Sequence, residues 1–176
     1  MNLVKLLLYC IVFIVGCNNS NENSDNEYLK LNITEGWKEH NPMPDVSVHL
    51  PNNWHVYEGK LGAYVEDCDK EFCTNLVCYS MEDDGAKTIF DVRRLFLKAM
   101  KLRSSKFELL SVIEGHDCIT ISYNYTHVDY NIELFGSTKI WIKNKHIFVF
   151  QISGLRNDSE VISINADKIF ETVNFR

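Results

Sequence analysis

Apolar and polar residues alternate in several short segments of the chain, and this period of two predicts strands. Val46, Val48 and Leu50 alternate with polar residues before a turn at residues 51–53, which is typical of a strand with one buried face. Residues 76–81 form another apolar segment of strand length. The first half of the chain is therefore predicted to contribute strands to a sheet.

The period changes to that of a helix in two places. Between residues 88 and 103, apolar side chains recur every three or four positions, and Thr88 with Asp91 resembles a capping box. The apolar residues of this helix are Ile89, Val92, Phe96, Ala99 and Met100. Residues 159–172 repeat the pattern, with Asp158 or Ser159 available as N-cap. The apolar residues of the second helix are Ile162, Ala166, Ile169 and Phe170.

Further extended segments lie between the two predicted helices. We expect strands over residues 107–114, 118–125 and 128–134, followed by a hairpin of residues 138–143 and 146–153 around Asn144-Lys145. The short turn at Gly115-His116-Asp117 and the one at Asn144-Lys145 make their flanking strands antiparallel neighbours. The prediction is an α+β domain in which an antiparallel sheet of about six strands is flanked by two main helices.

Local features of these elements occur in the order of a known fold. They are the turn from Pro51 to Trp54, the strand from Thr74 to Cys78, the long helix, the Gly115 turn before Tyr123 and Tyr125, the run from Ile147 to Phe150, and the closing Val173-Asn174-Phe175. Together they resemble the PsbP/Mog-like fold, which includes the envelope lipoprotein DcrB. Members of this group dock onto other proteins and share no chemistry, so the resemblance implies protein binding and no catalytic residues.

The N-terminal residues have the pattern of an export signal. Residues 1–16 contain one charged residue, Lys5, followed by an apolar run that ends at Gly16. The run is too short for a transmembrane helix, which needs roughly 20 apolar residues. Ile14-Val15-Gly16-Cys17 resembles the lipobox of bacterial lipoproteins. That resemblance implies cleavage before Cys17, a diacylglyceryl group on its sulfur and an acylated amine. The alternative is a plain signal peptide with an unmodified Cys17.

The segment behind Cys17 contains no apolar residue. Residues 18–27 are only Asn, Ser, Glu and Asp, so we expect a disordered tether. The predicted organisation is a signal peptide over residues 1–16, the lipidated cysteine and tether over 17–27, and one globular domain over 28–176. The chain has a net charge of -6, which becomes -7 without Lys5. Because the sequence has no basic run, we expect no nucleic-acid partner.

Four further cysteines follow Cys17 in the mature chain, namely Cys68, Cys73, Cys78 and Cys118. An even number in an exported protein permits disulfides. Pairing of Cys73 with Cys78 is disfavoured, because an extended strand would separate them by about 16 Å. The simplest set joins Cys68 to Cys73 and Cys78 to Cys118. Two alternatives stay open, which are Cys68–Cys78 with Cys73–Cys118, and free buried thiols.

No residue set in the sequence indicates a reaction, a metal or a cofactor. The acidic segment 66–73 contains two cysteines, but their spacing fits neither a zinc site nor a redox motif. Gly115-His116-Asp117-Cys118 is better explained by a tight turn than by a Cys–His nucleophile. The histidines are scattered, and His49 and His127 are expected on the solvent faces of strands. We therefore predict no catalytic, metal-binding or cofactor-binding residues.

These observations favour a membrane-anchored, non-catalytic protein-binding or assembly module of the bacterial cell envelope, of adaptor or immunity type. We expect attachment through Cys17 to the outer membrane, facing the periplasm, and a protein partner whose identity the sequence does not give. Such a module should expose a contiguous apolar patch on the sheet or beside a helix. The alternative is a small-ligand carrier or an envelope enzyme, either of which requires a deep pocket with converging polar groups.

Overall fold

A computed structural model describes residues 36–57, 60, 62–69, 72–83 and 88–176. The strands are β1 (Trp37–Met43), β2 (Val46–Pro51), β3 (Trp54–Val56), β4 (Ala63–Glu66), β5 (Asn75–Glu82), β6 (Ser104–Glu114), β7 (Cys118–His127), β8 (Glu133–Lys143), β9 (His146–Leu155) and β10 (Asn174–Phe175). The helices are α1 (Ile89–Arg103) and α2 (Ser159–Glu171), the second preceded by a 3-10 turn at Arg156–Asp158. The predicted signal peptide, Cys17 and the tether lie outside the described residues.

The described strands form two antiparallel sheets. The main sheet has seven strands in the order β3-β4-β5-β9-β8-β7-β6, and the small sheet has three in the order β1-β2-β10. Every neighbouring pair is antiparallel. The predicted α+β class is confirmed, with seven strands in the main sheet where about six were expected. The strand predicted from Val46 to Leu50 belongs to the small sheet.

Helix α2 and the small sheet cover one face of the main sheet. Trp141 of β8 lies at the centre of this layer, with its ring 5.5 Å from Phe150, 6.4 Å from Phe170 and 5.5 Å from Phe175, measured between centroids. The two residues of α2 that pack most completely here, Ala166 and Ile169, are fully buried. Burial of this apolar surface holds β2, β10 and α2 against the main sheet.

Helix α1 covers the opposite face, over β6 and β7. Its buried residues are Val92, Phe96, Ala99 and Met100, as the helical period predicted. Phe96 packs on Tyr123 with ring centroids 5.7 Å apart, and the Tyr123 hydroxyl lies 3.0 Å from Thr138 Oγ1. A Cβ atom at Gly136 would lie 2.6 Å from the Tyr123 ring. Only glycine at position 136 therefore lets this ring lie against β8.

The start of α1 follows the predicted capping box. The backbone N–H of Asp91 donates to Thr88 Oγ1 at 3.3 Å, and the backbone N–H of Thr88 donates to Asp91 Oδ2 at 3.2 Å. Both bonds satisfy donors that the first helical turn leaves unpaired. Asp158 is the N-cap of α2, but its side chain makes no capping hydrogen bond. Neither helix of the described chain is both long enough and apolar enough to cross a membrane.

The predicted strand over residues 128–134 is wrong. Strand β7 continues to His127, and the backbone then turns, because Asn131 has a φ of 52° and its N–H donates to the His127 carbonyl at 2.9 Å. Val128 and Tyr130 alternate as they would on a strand, yet both side chains are exposed. Strand β8 starts at Glu133 and runs without a break through residues 138–143, the first half of the predicted hairpin.

Candidate functional site

Strand β6 forms one edge of the main sheet. It is eleven residues long and pairs with β7 on one side, and no other strand of the described chain pairs with its second side. An unpaired edge presents a row of backbone N–H and C=O groups that an extended segment of another chain can bind. The length of β6 is about twice that of an average strand, so this edge is a long one.

Three large apolar side chains of β6 are exposed. Leu109 is 41% exposed, Leu110 is 47% exposed and Ile113 is 67% exposed. The pairing of β6 with β7 shifts register between Leu109 and Ser111, so Leu110 is an extra residue, and such a bulge redirects side chains. We call Leu109, Leu110 and Ile113, with the unpaired backbone beside them, the docking edge. In the pairing with β7, Leu109 lies opposite Tyr123 and Ile113 lies opposite Thr120, so these two side chains are on opposite faces of the sheet. They are not the single contiguous patch that the sequence led us to expect.

The acidic residues of β6 are engaged by neighbouring elements. Glu114 Oε1 lies 2.6 Å from Nη1 of Arg93 on α1, and Glu108 Oε2 lies 3.6 Å from Nη2 of Arg156. The Asn124 side chain of β7 also donates to Glu108 at 2.9 Å. Charged side chains on an edge strand usually discourage pairing with other chains. Here both carboxylates are bound to the protein itself, so the apolar segment between them is less protected.

The sheet surface beside the docking edge is polar. Helix α2 contacts β8, β9 and β2, and the alternate residues of β7 on that face, Thr120, Ser122 and Asn124, are half-buried. The opposite face of β7 is apolar and lies under α1, with Ile119, Ile121 and Tyr123 fully buried. The docking edge is therefore a narrow apolar strip with a polar surface on one side and α1 on the other.

The first expected disulfide is present. Cys68 and Cys73 are bonded, with their Cα atoms 5.9 Å apart, and the bond closes a loop between β4 and β5. Of the residues around it, Phe72 and Cys73 are buried while Asp67 and Asp69 remain accessible. The predicted acidic loop closed by a disulfide is thus observed for its described residues. In the described part of the chain, no group of three or more His, Cys, Asp or Glu residues is placed to hold a metal ion.

Loss of this disulfide should destabilise the protein moderately. Replacing both Cys68 and Cys73 with alanine frees a short loop in the unfolded chain, and the expected loss is about 2 kcal/mol of unfolding free energy. Urea denaturation of the oxidised protein measures it. The control is Cys118→Ala, which removes a half-buried free thiol and should cost about 1 kcal/mol or less. Equal stability of the double variant and the wild type would contradict a closed Cys68–Cys73 loop.

The prediction of a second disulfide, between Cys78 and Cys118, is wrong. Both thiols are free, because Cys78 lies on β5 and Cys118 on β7 with β9 and β8 between them. Three strand spacings separate the cysteines by about 14 Å, far beyond the reach of a disulfide. Burial raises the pKa of the Cys78 thiol well above its ordinary value of 9.0. Cys78 is consequently a protonated core residue and a poor nucleophile at neutral pH.

The residues near Gly115 form the tight turn that was predicted. The N–H of Gly115 donates to the carbonyl of Cys118 at 2.8 Å, and Asp117 Oδ2 lies 3.4 Å from Lys143 Nζ. His116 is exposed and makes no hydrogen bond to Cys118. His49 is exposed as predicted, but the prediction for His127 is wrong, since its side chain is buried at the end of β7 and lies against Tyr130.

The docking edge was missed as a particular site by sequence reasoning. Its one sequence signal is the adjacent pair Leu109-Leu110, which breaks the period of two within β6 and marks a bulge. The position of β6 at the end of the sheet has no such signal, because it depends on which distant strands pair. Trp54, Trp141, Tyr123 and Tyr125 were expected in the core and are buried there.

A seven-stranded antiparallel sheet with α1 on one face and α2 on the other is the PsbP-like fold. Three solved structures share it with this chain. Cyanobacterial PsbP (CyanoP) from Synechocystis sp. PCC 6803 is 14% identical, with a TM-score of 0.60 over 87% of this chain and 98% of that one. The resemblance predicted from the order of elements is thereby confirmed at the level of fold.

The other two structures come from different bacteria. Protein PA94 of unknown function from Pseudomonas aeruginosa is 9% identical, with a TM-score of 0.55 over 80% of this chain and 97% of that one. LpqN, which is involved in cell envelope biogenesis of Mycobacterium tuberculosis, is 15% identical, with a TM-score of 0.55 over 78% of this chain and 90% of that one. No protein-family model and no curated protein sequence matches this chain.

Proposed function

We propose that this chain is a membrane-anchored, non-catalytic protein-binding module of the bacterial cell envelope that binds an extended segment of a partner protein along β6. The docking edge is the observation that carries the proposal. It offers eleven residues of backbone on one side and three exposed apolar side chains. In strand addition, the backbone hydrogen bonds supply affinity and the side chains beside them supply specificity.

The anchor in this proposal rests on the sequence. The apolar run ending at Gly16, the lipobox-like Ile14-Val15-Gly16-Cys17 and the polar residues 18–27 favour lipidation of Cys17 and a tether to the domain. Two or more acyl chains hold a protein stably at a membrane, whereas one does so only marginally. The envelope role of LpqN, a protein with the same fold, supports the proposed location. The outer membrane facing the periplasm is the location we propose.

The absence of catalysis is part of the same proposal. Among the buried ionisable groups, Cys78, Tyr123 and Tyr125 have pKa values raised by burial, so these three stay neutral at physiological pH. Tyr123 and Tyr125 lie in the layer under α1, and Cys78 lies in the layer under α2. Side chains enclosed within a packed core contribute to packing, and they are not placed to exchange protons with a substrate.

The test is capture of the partner by variants of the docking edge. The lipidated protein and a Leu110→Lys/Ile113→Lys variant are used as baits in detergent-solubilised envelope, because lysine on an edge strand opposes pairing. The matched control is Val161→Lys/Ile164→Lys, which changes two apolar residues of α2 that are 50% and 37% exposed. We expect the edge variant to lose the partner by about tenfold, a change of 1.4 kcal/mol, and the control to retain it.

Two results would overturn the proposal. If the edge variant and the control capture the partner equally, β6 is not the binding surface. If the folded wild type captures no stoichiometric partner, the chain is not a protein-binding module of this kind. The anchor is tested separately by the intact mass of the membrane-extracted protein, which should exceed the mass of the chain from Cys17 onward by the acyl groups. A Cys17→Ser variant should lack that increment.

A further inference from the structure

The outer surface of α1 combines positive charge with exposed apolar side chains. Four exposed residues face away from the sheet, and we call them the basic face: Phe90, Arg94, Lys98 and Lys101. They lie opposite the buried residues of the same helix. Phe90 is 61% exposed, and Leu102, at the border of the basic face, is 71% exposed. On an ordinary protein surface, exposed large apolar side chains are scattered singly. Here two of them lie near the two ends of a row of cations on one helix.

The charge of α1 contrasts with that of the whole chain. The helix has five basic residues and one acidic residue, a net charge of +4, in a chain with a net charge of -6. The single acid, Asp91, binds Thr88 at the N-terminus and lies 3.1 Å from Arg94. Lys98 and Lys101 are both exposed and form no ion pair with any described residue. Three of the five basic residues, Arg94, Lys98 and Lys101, are brought to one surface by the helical period.

The basic face is suited to a surface that is anionic on the outside and apolar a few ångströms below. Phe90 and Leu102 lie twelve positions apart, which corresponds to about 18 Å along the helix. Helices that lie at a membrane interface place Phe and Leu at the boundary between headgroups and acyl chains, with Lys and Arg beside them. Lysine side chains can contact phosphates while their methylene groups follow apolar surface.

We infer that the basic face of α1 binds the anionic headgroups of a phospholipid membrane, with Phe90 and Leu102 inserted at headgroup depth. The inference rests on the proposed lipid anchor, which would keep the domain close to such a surface. An acidic protein is a less suitable occupant, because protein interfaces usually have an apolar centre and a polar rim, whereas here cations occupy the centre and apolar residues the ends. Glu114 of β6 binds Arg93 beside the basic face, so the docking edge lies next to that face.

The experiment uses the full lipidated protein and vesicles of two compositions. One is phosphatidylcholine alone, and the other is phosphatidylcholine with an equal amount of phosphatidylglycerol. A Phe90→Trp variant reports insertion through quenching of its fluorescence by brominated lipids, after subtraction of the signal from wild-type protein, whose own tryptophans include the buried Trp54 and Trp141. We expect strong quenching only with phosphatidylglycerol, because anionic lipid attracts each basic residue near the surface.

Charge-reversal variants distinguish binding through the basic face from attraction that depends only on the net charge of the protein. Adding Lys98→Glu/Lys101→Glu to Phe90→Trp should reduce the phosphatidylglycerol-dependent quenching by about tenfold or more. Adding Lys38→Glu/Lys145→Glu instead makes the same change in net charge at two exposed residues outside α1 and should leave the quenching unchanged. An equal loss with both pairs would overturn the inference, since the attraction would then depend only on net charge.

Flotation distinguishes failure of the inference from failure of the anchor. Protein that floats with both kinds of vesicle but shows no phosphatidylglycerol-dependent quenching is anchored, and the basic face does not bind lipid. Protein that floats with neither kind refutes both the anchor and the inference. Protein that floats only with phosphatidylglycerol vesicles refutes the anchor and supports the basic face. If lipid quenching is absent and Lys98→Glu/Lys101→Glu instead abolishes capture of the protein partner, the face binds protein and the inference is overturned.

Discussion

Replacing Phe96 with alanine should lower the free energy of unfolding by about 3–5 kcal/mol. Phe96 is 2% exposed and lies in the middle of α1, where its ring packs on Tyr123. Removing the ring leaves a cavity between the helix and the sheet that the β-strands below cannot collapse to fill. Because native proteins are stable by only about 5–15 kcal/mol, the variant should lose a large part of its stability.

Urea denaturation followed by circular dichroism measures this loss. The matched control is Phe90→Ala, which removes the same ring from the same helix at a side chain that is 61% exposed. That change should alter stability by about 0.5 kcal/mol or less. If the two variants lose equal stability, then α1 does not pack on the sheet through the face that contains Phe96.

Raising the pH above about 9 should destabilise the protein through buried groups that include Tyr125, Tyr123 and Cys78. Burial raises the pKa of Tyr125 to about 12 from its ordinary 10.0, with a hydrogen bond from Ser153 acting in the opposite direction. Burial likewise raises the pKa values of Tyr123 and Cys78 well above 10.0 and 9.0. The unfolded chain then loses protons that the folded protein retains, so the free energy of unfolding falls as pH rises. The contribution of Tyr125 is complete below about pH 9 and is lost as the pH rises from about 10 to about 12.

The contribution of Tyr125 can be given a magnitude. At pH 11 its unfolded form is one pH unit above its pKa and its folded form one unit below, which corresponds to a loss of about 1.4 kcal/mol. Urea denaturation at pH 8 and pH 11 should show this loss, increased by Tyr123 and Cys78. Tyr125→Phe should reduce the pH dependence by that amount, and Tyr130→Phe, at a side chain 53% exposed, should not. Identical behaviour of the two variants would contradict burial of the Tyr125 phenol.

Local interactions explain why the helices were predicted well. The capping box of Thr88 and Asp91 and the apolar period that follows act within a few residues of one another, and α1 begins at Ile89 as the pattern indicated. The turns at Gly115 and Asn144-Lys145 are also local, and the hairpins that they close are present. The alternation at Val128 and Tyr130 predicted a strand that does not exist, because no buried surface is available to those side chains in the folded protein.

Strand order could not be read from the sequence. It depends on pairings between distant segments, such as β5 with β9, where Cys78 lies opposite Phe150. That pairing keeps Cys78 three strands from Cys118, and it excludes a disulfide that the cysteine count had favoured. For the same reason the sequence could not show that β6, with its exposed apolar side chains, lies at the edge of the sheet.

The α+β class, the two helices, most of the strands and the pattern that predicts a lipid anchor at Cys17 all follow from the sequence. Each of these depends on short-range spacing of apolar, polar or capping residues. Tertiary structure alone decided that β6 is the edge of the main sheet and that Leu110 is exposed in a bulge. It also decided that Phe96 and Met100 pack against the sheet, which leaves Arg94, Lys98 and Lys101 on the opposite surface of α1.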